Sequence, residues 1–234
     1  MKIITNQKLI DRNAKIGRYS GIASLLILGG GMYLSFRFQE QVWYSLAALV
    51  LGFTLSQVSI FYSNRFGSSP RPDQRLNDAL KGLDDRYAIY HYSSPVSHLL
   101  VGPAGIWTLL PYQQKGTITY DEGKGRWKRK GGNIYLKFFA QDSLGRPSLE
   151  VDAARENVSE YLADIPGFDP PQVRAALVFT HQEAEVQAEE APHPTLHALQ
   201  LKKELRKQAK SDSSLPMSTV RTVRDALDRH RELS

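Results

Sequence analysis

The sequence predicts an α/β (α+β) chain in which a two-helix transmembrane hairpin precedes a mixed sheet flanked by helices. Three observations predict it. Between Arg18 and Arg37 lie 18 uncharged residues, and between Glu40 and Arg65 lie 24 more, each run long enough, at about 1.5 Å per residue, to cross a hydrocarbon core of about 30 Å. The turn composition Gly67-Ser68-Ser69-Pro70-Arg71-Pro72 then breaks the pattern. Beyond it, short β-prone runs alternate with segments of helical period, an order that builds a sheet with helices on its faces.

Residues 1–18 read as a basic leader, residues 19–64 as the hairpin (spans 19–36 and 41–64) and residues 65–72 as a linker. Arg37-Phe38-Gln39-Glu40 is too short a connection to leave the membrane by much, so both ends of the hairpin are expected on the same side. Lys2, Lys8, Arg12, Lys15 and Arg18 precede the first span and Arg65, Arg71 and Arg75 follow the second, whereas the connection carries one Arg and one Glu. The positive-inside rule therefore puts both termini and the following domain in the cytoplasm of a multi-pass cell-membrane protein. A cleaved signal peptide fits poorly, because no small-residue cleavage site follows the first run and a second run comes at once. Two core helices of a soluble domain fit poorly too, because such helices seldom run 24 residues without a charge. Gly29, Gly30 and Gly31 suit close helix contact in lipid, within the hairpin or by self-association, and a kink is the other reading.

In the remainder, Asp73 can cap a helix whose Leu76, Ala79, Leu80 and Leu83 recur at helical spacing. Tyr87–Tyr92 is an aromatic strand, and Val96–Val101 with Ile106–Leu110 form a β-hairpin around residues 102–105. Thr117–Tyr120, Arg126–Lys130 and Asn133–Phe139 are further strands, followed by a helix from Pro147. Val173–Thr180 is a near-continuous apolar run, the signature of a central strand covered on both faces. Glu183–Glu190 reads as a solvated acidic loop, Leu196 as the centre of a short strand, and residues 202–210 and 219–232 as C-terminal helices. The domain is expected over 73–200, with 201–234 added to it. The chain has no cysteine, which removes disulfides and thiolate chemistry. Its net charge of +6 comes partly from residues next to the spans, so charge alone does not point to nucleic acid.

The stripe Leu76-x-x-Ala79-Leu80-x-x-Leu83, the segment Val96-x-His98-Leu-Leu-Val-Gly-Pro-Ala-Gly-Ile-Trp107, Lys115-Gly-Thr-Ile118, a Trp in a basic strand and Ala175-Ala-Leu-Val-Phe179 together resemble the NERD (nuclease-related) domain over about residues 70–200. The resemblance implies a restriction-endonuclease-like, PD-(D/E)xK frame. In that frame an Asp on one strand and a Glu-x-Lys on the next hold Mg²⁺ and orient the attacking water. This chain departs from the pattern at the reactive positions. Ser97 stands where the family has Asp, although the adjoining His98 matches, and Leu110, Pro111 and Tyr112 stand where it has Glu-Thr-Lys. Asp73 matches an acidic position in the first helix, and Glu150 falls at the Gln of the later helix.

Asp73, His98, Lys115 and Glu150 are thus the candidates for a relocated catalytic site. Their other reading is a helix cap, a structural histidine, a turn residue and a first-turn acid suited to the helix dipole. Lys124, Arg126, Lys128, Arg129 and Lys130 around Trp127 form the densest basic cluster, a stacking platform for nucleic acid, a surface for anionic lipid, or simply a solvated hairpin. The expected function is binding or scaffolding by a membrane-anchored, catalytically silent nuclease-related domain that needs no cofactor. An Mg²⁺-dependent nuclease with relocated ligands and a membrane assembly protein are the alternatives.

Overall fold

In the computed structural model, which describes residues 1–38, 40, 42–131, 144–211 and 214–233, two compact units emerge: residues 6–71, and residues 1–5 together with 72–234. The first unit is a pair of helices. Asn6 caps α1 (Gln7–Arg37), its side-chain oxygen accepting from the Leu9 amide (3.0 Å). α2 (Val42–Tyr62) ends in a π-helical turn, Ser63–Gly67. Both helices are long and apolar enough to cross a membrane. Leu26 is 71% exposed and Trp43 79%, so these helices do not bury their apolar side chains as soluble core helices do.

What joins the pair is a seam of small residues. Gly17, Ser24 and Gly31, seven apart on α1, are buried, and Gly52 is buried on α2. Ser24 Oγ donates to the Gly52 carbonyl (2.7 Å) and Ser59 Oγ to that of Gly17 (2.7 Å). Of the three consecutive glycines only Gly31 is used in the seam: a Cβ there would lie 2.5 Å from Ala48 Cβ, while Gly29 and Gly30 have nothing within 4 Å. Gly31→Leu should therefore push the helices apart and cost about 1–3 kcal/mol of hairpin stability, as overpacking does. Gly30→Leu should cost nothing beyond propensity, and unfolding of the full chain in a detergent titration compares the two. Equal midpoints would show that the close approach at Gly31 contributes nothing.

The second unit is built on a six-stranded mixed sheet in the order β1-β2-β3-β4-β7-β9, with strands Lys2–Thr5, Ala88–His91, His98–Gly102, Gly105–Tyr112, Val173–Phe179 and Thr195–His197. β2, β3 and β4 are antiparallel neighbours, β1 lies parallel to β2, and β7 parallel to both β4 and β9. The β3–β4 turn closes through Gly105 at φ +114°, and Trp107 Nε1 donates back to the Ala104 carbonyl (2.9 Å). A second sheet, β6-β5-β8, consists of Arg126–Lys130, Gly116–Asp121 and Ala184–Gln187.

Helices cover both faces of the large sheet. α3 (Pro72–Leu80) and α5 (Ala198–Gln208) press Leu76, Leu80, Leu201 and Leu205 onto Ile89, Leu100 and Val178. α4 (Pro147–Ala163) and α6 (Met217–Leu233) place Val158, Leu162, Val220 and Val223 on the other face, against Tyr90, Leu99 and Val101. A third cluster, including Tyr112, Ile118, Trp127, Val151 and Phe179, joins the small sheet to α4.

Several boundaries differ from the sequence reading. The basic leader is not a separate segment: residues 2–5 are an edge strand of the domain's sheet, and α1 begins at Gln7 and contains the expected span 19–36. The C-terminal helices are not additions to a domain ending at 200, because Leu201, Leu205, Val223 and Leu227 are core residues. The acidic loop contains β8, which pairs parallel to β5 and turns Val186 toward the third cluster. The strand expected at Asn133–Phe139 lies outside the described residues.

Candidate functional site

Strand alternation sorts the candidate residues onto two faces. Ile89 and Leu100 belong to the cluster under α3, and His91 and His98, each two positions along the same strands, share that face. Asp73 is buried on α3, on the same side of the sheet. Tyr112 belongs with Leu177 and Phe179 to the cluster under α4, and Glu150 lies in the first turn of α4. Asp73 and Glu150 thus sit on helices that cover opposite faces of one sheet. Carboxylates so placed have the sheet between the helices that carry them, which argues against their sharing a cation whose ligand bonds are about 2.1 Å long.

At the end of β4 the reactive positions implied by the resemblance carry no metal chemistry. Leu110 packs on the third cluster and Pro111 pairs with Val178 in the ladder. The Tyr112 ring stacks on Phe179 (centroids 5.3 Å apart), and its hydroxyl donates to Glu150 Oε2 (2.8 Å). Burial first, and then the Glu150 carboxylate accepting that proton, push the phenol pKa well up, so Tyr112 stays neutral. A hard divalent cation would find one carboxylate here, already engaged by a phenol, beside a leucine and a proline. Among the described residues no group of three or more His, Asp or Glu is arranged to hold a metal ion.

His98 has a partner that the sequence did not reveal. His91 faces it across the β2–β3 ladder with both rings buried, and the two Nδ1 atoms are 2.9 Å apart. His91 Nε2 lies 3.0 Å from Asn77 Oδ1. The two imidazoles and the Asn77 side chain thus form one buried hydrogen-bonding chain, in which the tautomer decides which nitrogen donates. The signal was present as two histidines seven residues apart, but only the register makes them neighbours. Lys115 pairs with Glu183 (3.5 Å) at an exposed turn. Of the later histidines, His197 caps α5 and reaches the His181 carbonyl (3.0 Å). His193 lies 3.9 Å from Asp152, and burial holds its pKa below the ordinary value.

The basic cluster divides into an inner and an outer row. β6 alternates, so Trp127 turns inward and is only 6% exposed. Its Nε1 donates to Thr195 Oγ1 (3.0 Å), and its ring meets Tyr120 edge-on (4.9 Å). That corrects the stacking platform: the indole is a core side chain with no free face for a base. Arg126, Lys128 and Lys130 point outward. Lys128 bonds Asp121 and, as the main cause, lowers that carboxyl's pKa. Arg129 Nη2 donates to the Gly131 carbonyl (3.3 Å), and Lys124 stands in the turn before β6.

Along β6 runs a cleft of about 740 Å³ whose walls are residues 125–129 and 144–149. Arg126, Lys128, Arg129 and Arg146 line it, Lys128 being paired with Asp121, and among the described lining residues there is no carboxylate. Arg146, at the N-cap of α4, provides no side-chain cap for the first-turn amides, whose partial positive charge adds to that of the cations. Lys124 and Lys130 lie outside the lining of the cleft. Comparison of the chain with family models, with curated proteins and with solved structures gives no match.

Proposed function

We propose that this chain is a membrane-anchored, NERD-like protein whose nuclease-related domain binds or scaffolds at the cytoplasmic face without cleaving. The observation that carries the reading is the end of β4, where Leu110, Tyr112 and Glu150 meet and the one carboxylate is bonded to a phenol. These are three of the positions at which the resemblance puts reactive groups, brought together on one face in an order of helix, three antiparallel strands, helix and parallel strand. A phosphodiester hydrolase needs a cation or preorganised donors where charge develops, and none of these three side chains supplies one.

The anchoring half rests on the two apolar helices and on what flanks them. Residues 2–5 and the strands after residue 72 hydrogen-bond in one sheet, so two spans between them return the chain to the side it left. Lys8, Arg12, Lys15 and Arg18 before the first span make that side the cytoplasm by the positive-inside rule. The binding half rests on the four-cation cleft, whose natural occupant is a phosphate backbone.

The test uses the full chain in detergent micelles with a labelled DNA oligonucleotide. With Mg²⁺ or Mn²⁺ the DNA should stay intact, while binding should weaken steeply with salt. Each phosphate that a cation neutralises adds about 0.7–0.9 to the slope of log K against log[salt], so replacing Arg126, Lys128 and Arg146 by glutamine should lower that slope by about 2–3. Cleavage abolished by Glu150→Ala would overturn the silent-domain reading, and an unchanged slope would move binding off the cleft.

A further inference from the structure

We infer that the N-terminal part of α1 carries a binding site for an anionic phospholipid, made by Lys15 and Arg18 at headgroup level and continued by Ile22 and Leu26 for the acyl chain. The inference rests on the membrane reading above. α1 is one continuous helix through Arg37, of which only residues 19–36 are uncharged. The preceding turns therefore project from the span as a helix rather than as a loose leader.

At about 100° per residue, Lys8, Arg12, Lys15 and Arg18 fall within an arc of about 120°, and its centre lies about 175° from that of Gly17, Ser24 and Gly31. The cations thus point directly away from the seam with α2. All four are exposed, and among the described residues none has an ion-pair partner. Asp11 falls in the same arc, but its Oδ1 accepts from Gln7 Nε2 (2.7 Å), and the arc keeps an excess of three positive charges.

Two features choose a lipid over a soluble anion. Tyr19, Ile22 and Leu26 fall inside the same arc, from the next residue to about two turns beyond Arg18, and are exposed apolar side chains. The face therefore changes from cationic to apolar along its length, the order of a phospholipid from head to tail. The depth also fits. A headgroup layer is about 5–7 Å thick on each side of the hydrocarbon, and Arg18 and Lys15 lie about 1.5 and 6 Å above Tyr19 along the axis. Arg12 is about 10 Å above it and Lys8 about 16 Å, roughly two Debye lengths at physiological salt.

The experiment reconstitutes the full chain with phosphatidylglycerol and phosphatidylcholine of identical acyl chains and counts retained lipids by native mass spectrometry. A cation at the surface contributes about a fivefold preference, so Lys15→Gln with Arg18→Gln should reduce phosphatidylglycerol selectivity at least tenfold, and Lys8→Gln by less than twofold. Unchanged selectivity in the double variant, an effect of Lys8→Gln equal to that of Arg18→Gln, or equal competition by the deacylated headgroup would each overturn the site. Alkaline carbonate extraction separates the two levels. Release of the chain from vesicles would sink the membrane reading and this inference with it, whereas retention without headgroup preference would sink this inference alone.

Discussion

Trp127→Ala should destabilise the domain by about 3–5 kcal/mol, the usual cost of deleting a large buried aromatic side chain. The indole is 6% exposed, packs in the cluster with Ile118 and Phe179, and meets Tyr120 edge-on. Its Nε1 bond to Thr195 Oγ1 links β6 to β9 and so ties the small sheet to the large one. Thr195 Oγ1 also donates to the His193 carbonyl (3.0 Å), so its proton stays satisfied when the tryptophan is removed and the missing packing sets the cost. Trp127→Phe keeps most of the packing and loses the bond, for about 1–2 kcal/mol. Thermal unfolding of the full chain followed by circular dichroism reads both. The result matters for function: weakened DNA binding in Trp127→Ala would report unfolding, whereas Arg126 and Arg146 are exposed and test the cleft cleanly. An unchanged melting temperature with abolished binding would restore the indole as a binding surface.

The same residue shows where sequence reading succeeds and where it stops. Alternation in Arg-Trp-Lys-Arg-Lys already separates Trp127 and Arg129 from the three outer cations, but charge density drew attention to the segment as one patch. The β3–β4 hairpin, α4 and β7 were legible because each is a local pattern, with turn glycines, a Pro start and a continuous apolar run. Features made by pairing distant segments were not. His91 and His98 become neighbours only in the β2–β3 register, and Glu150 meets Tyr112 across 38 residues. Lys-Ile-Ile-Thr at positions 2–5 carries too few residues to signal a strand against the basic residues that follow. Its partner β2 lies more than eighty residues along the chain.

That strand makes the choice of a soluble fragment consequential. The boundaries read from sequence would give residues 73–234 as the soluble part, and such a fragment should be less stable than one in which Met1–Thr5 is joined to Pro72–Ser234 by a flexible linker. β1 runs parallel to β2 with Ile4 opposite Tyr90, and Ile4 is 4% exposed against the core. Burying that side chain contributes about 1.5–3 kcal/mol. The net gain from the ladder, about 0.5–1.5 kcal/mol per hydrogen bond, is roughly offset by ordering the strand at about 1–2 kcal/mol per residue, so Ile4 decides the balance. In a domain of this size the loss corresponds to roughly 4–8 °C in Tm. It also leaves β2, with Ile89 and Tyr90, as an unprotected edge, which favours association with another chain. Lys2, paired with Asp228 at 3.2 Å, is the kind of charged residue that protects an outer strand. Melting temperature and sedimentation of the two fragments, with Ile4→Asp in the linked one, give the readout: the linked protein should be the more stable and monomeric, and Ile4→Asp should bring it down to the level of the shorter one. Equal melting of all three would mean that β1 only lies along the sheet and contributes nothing to holding it.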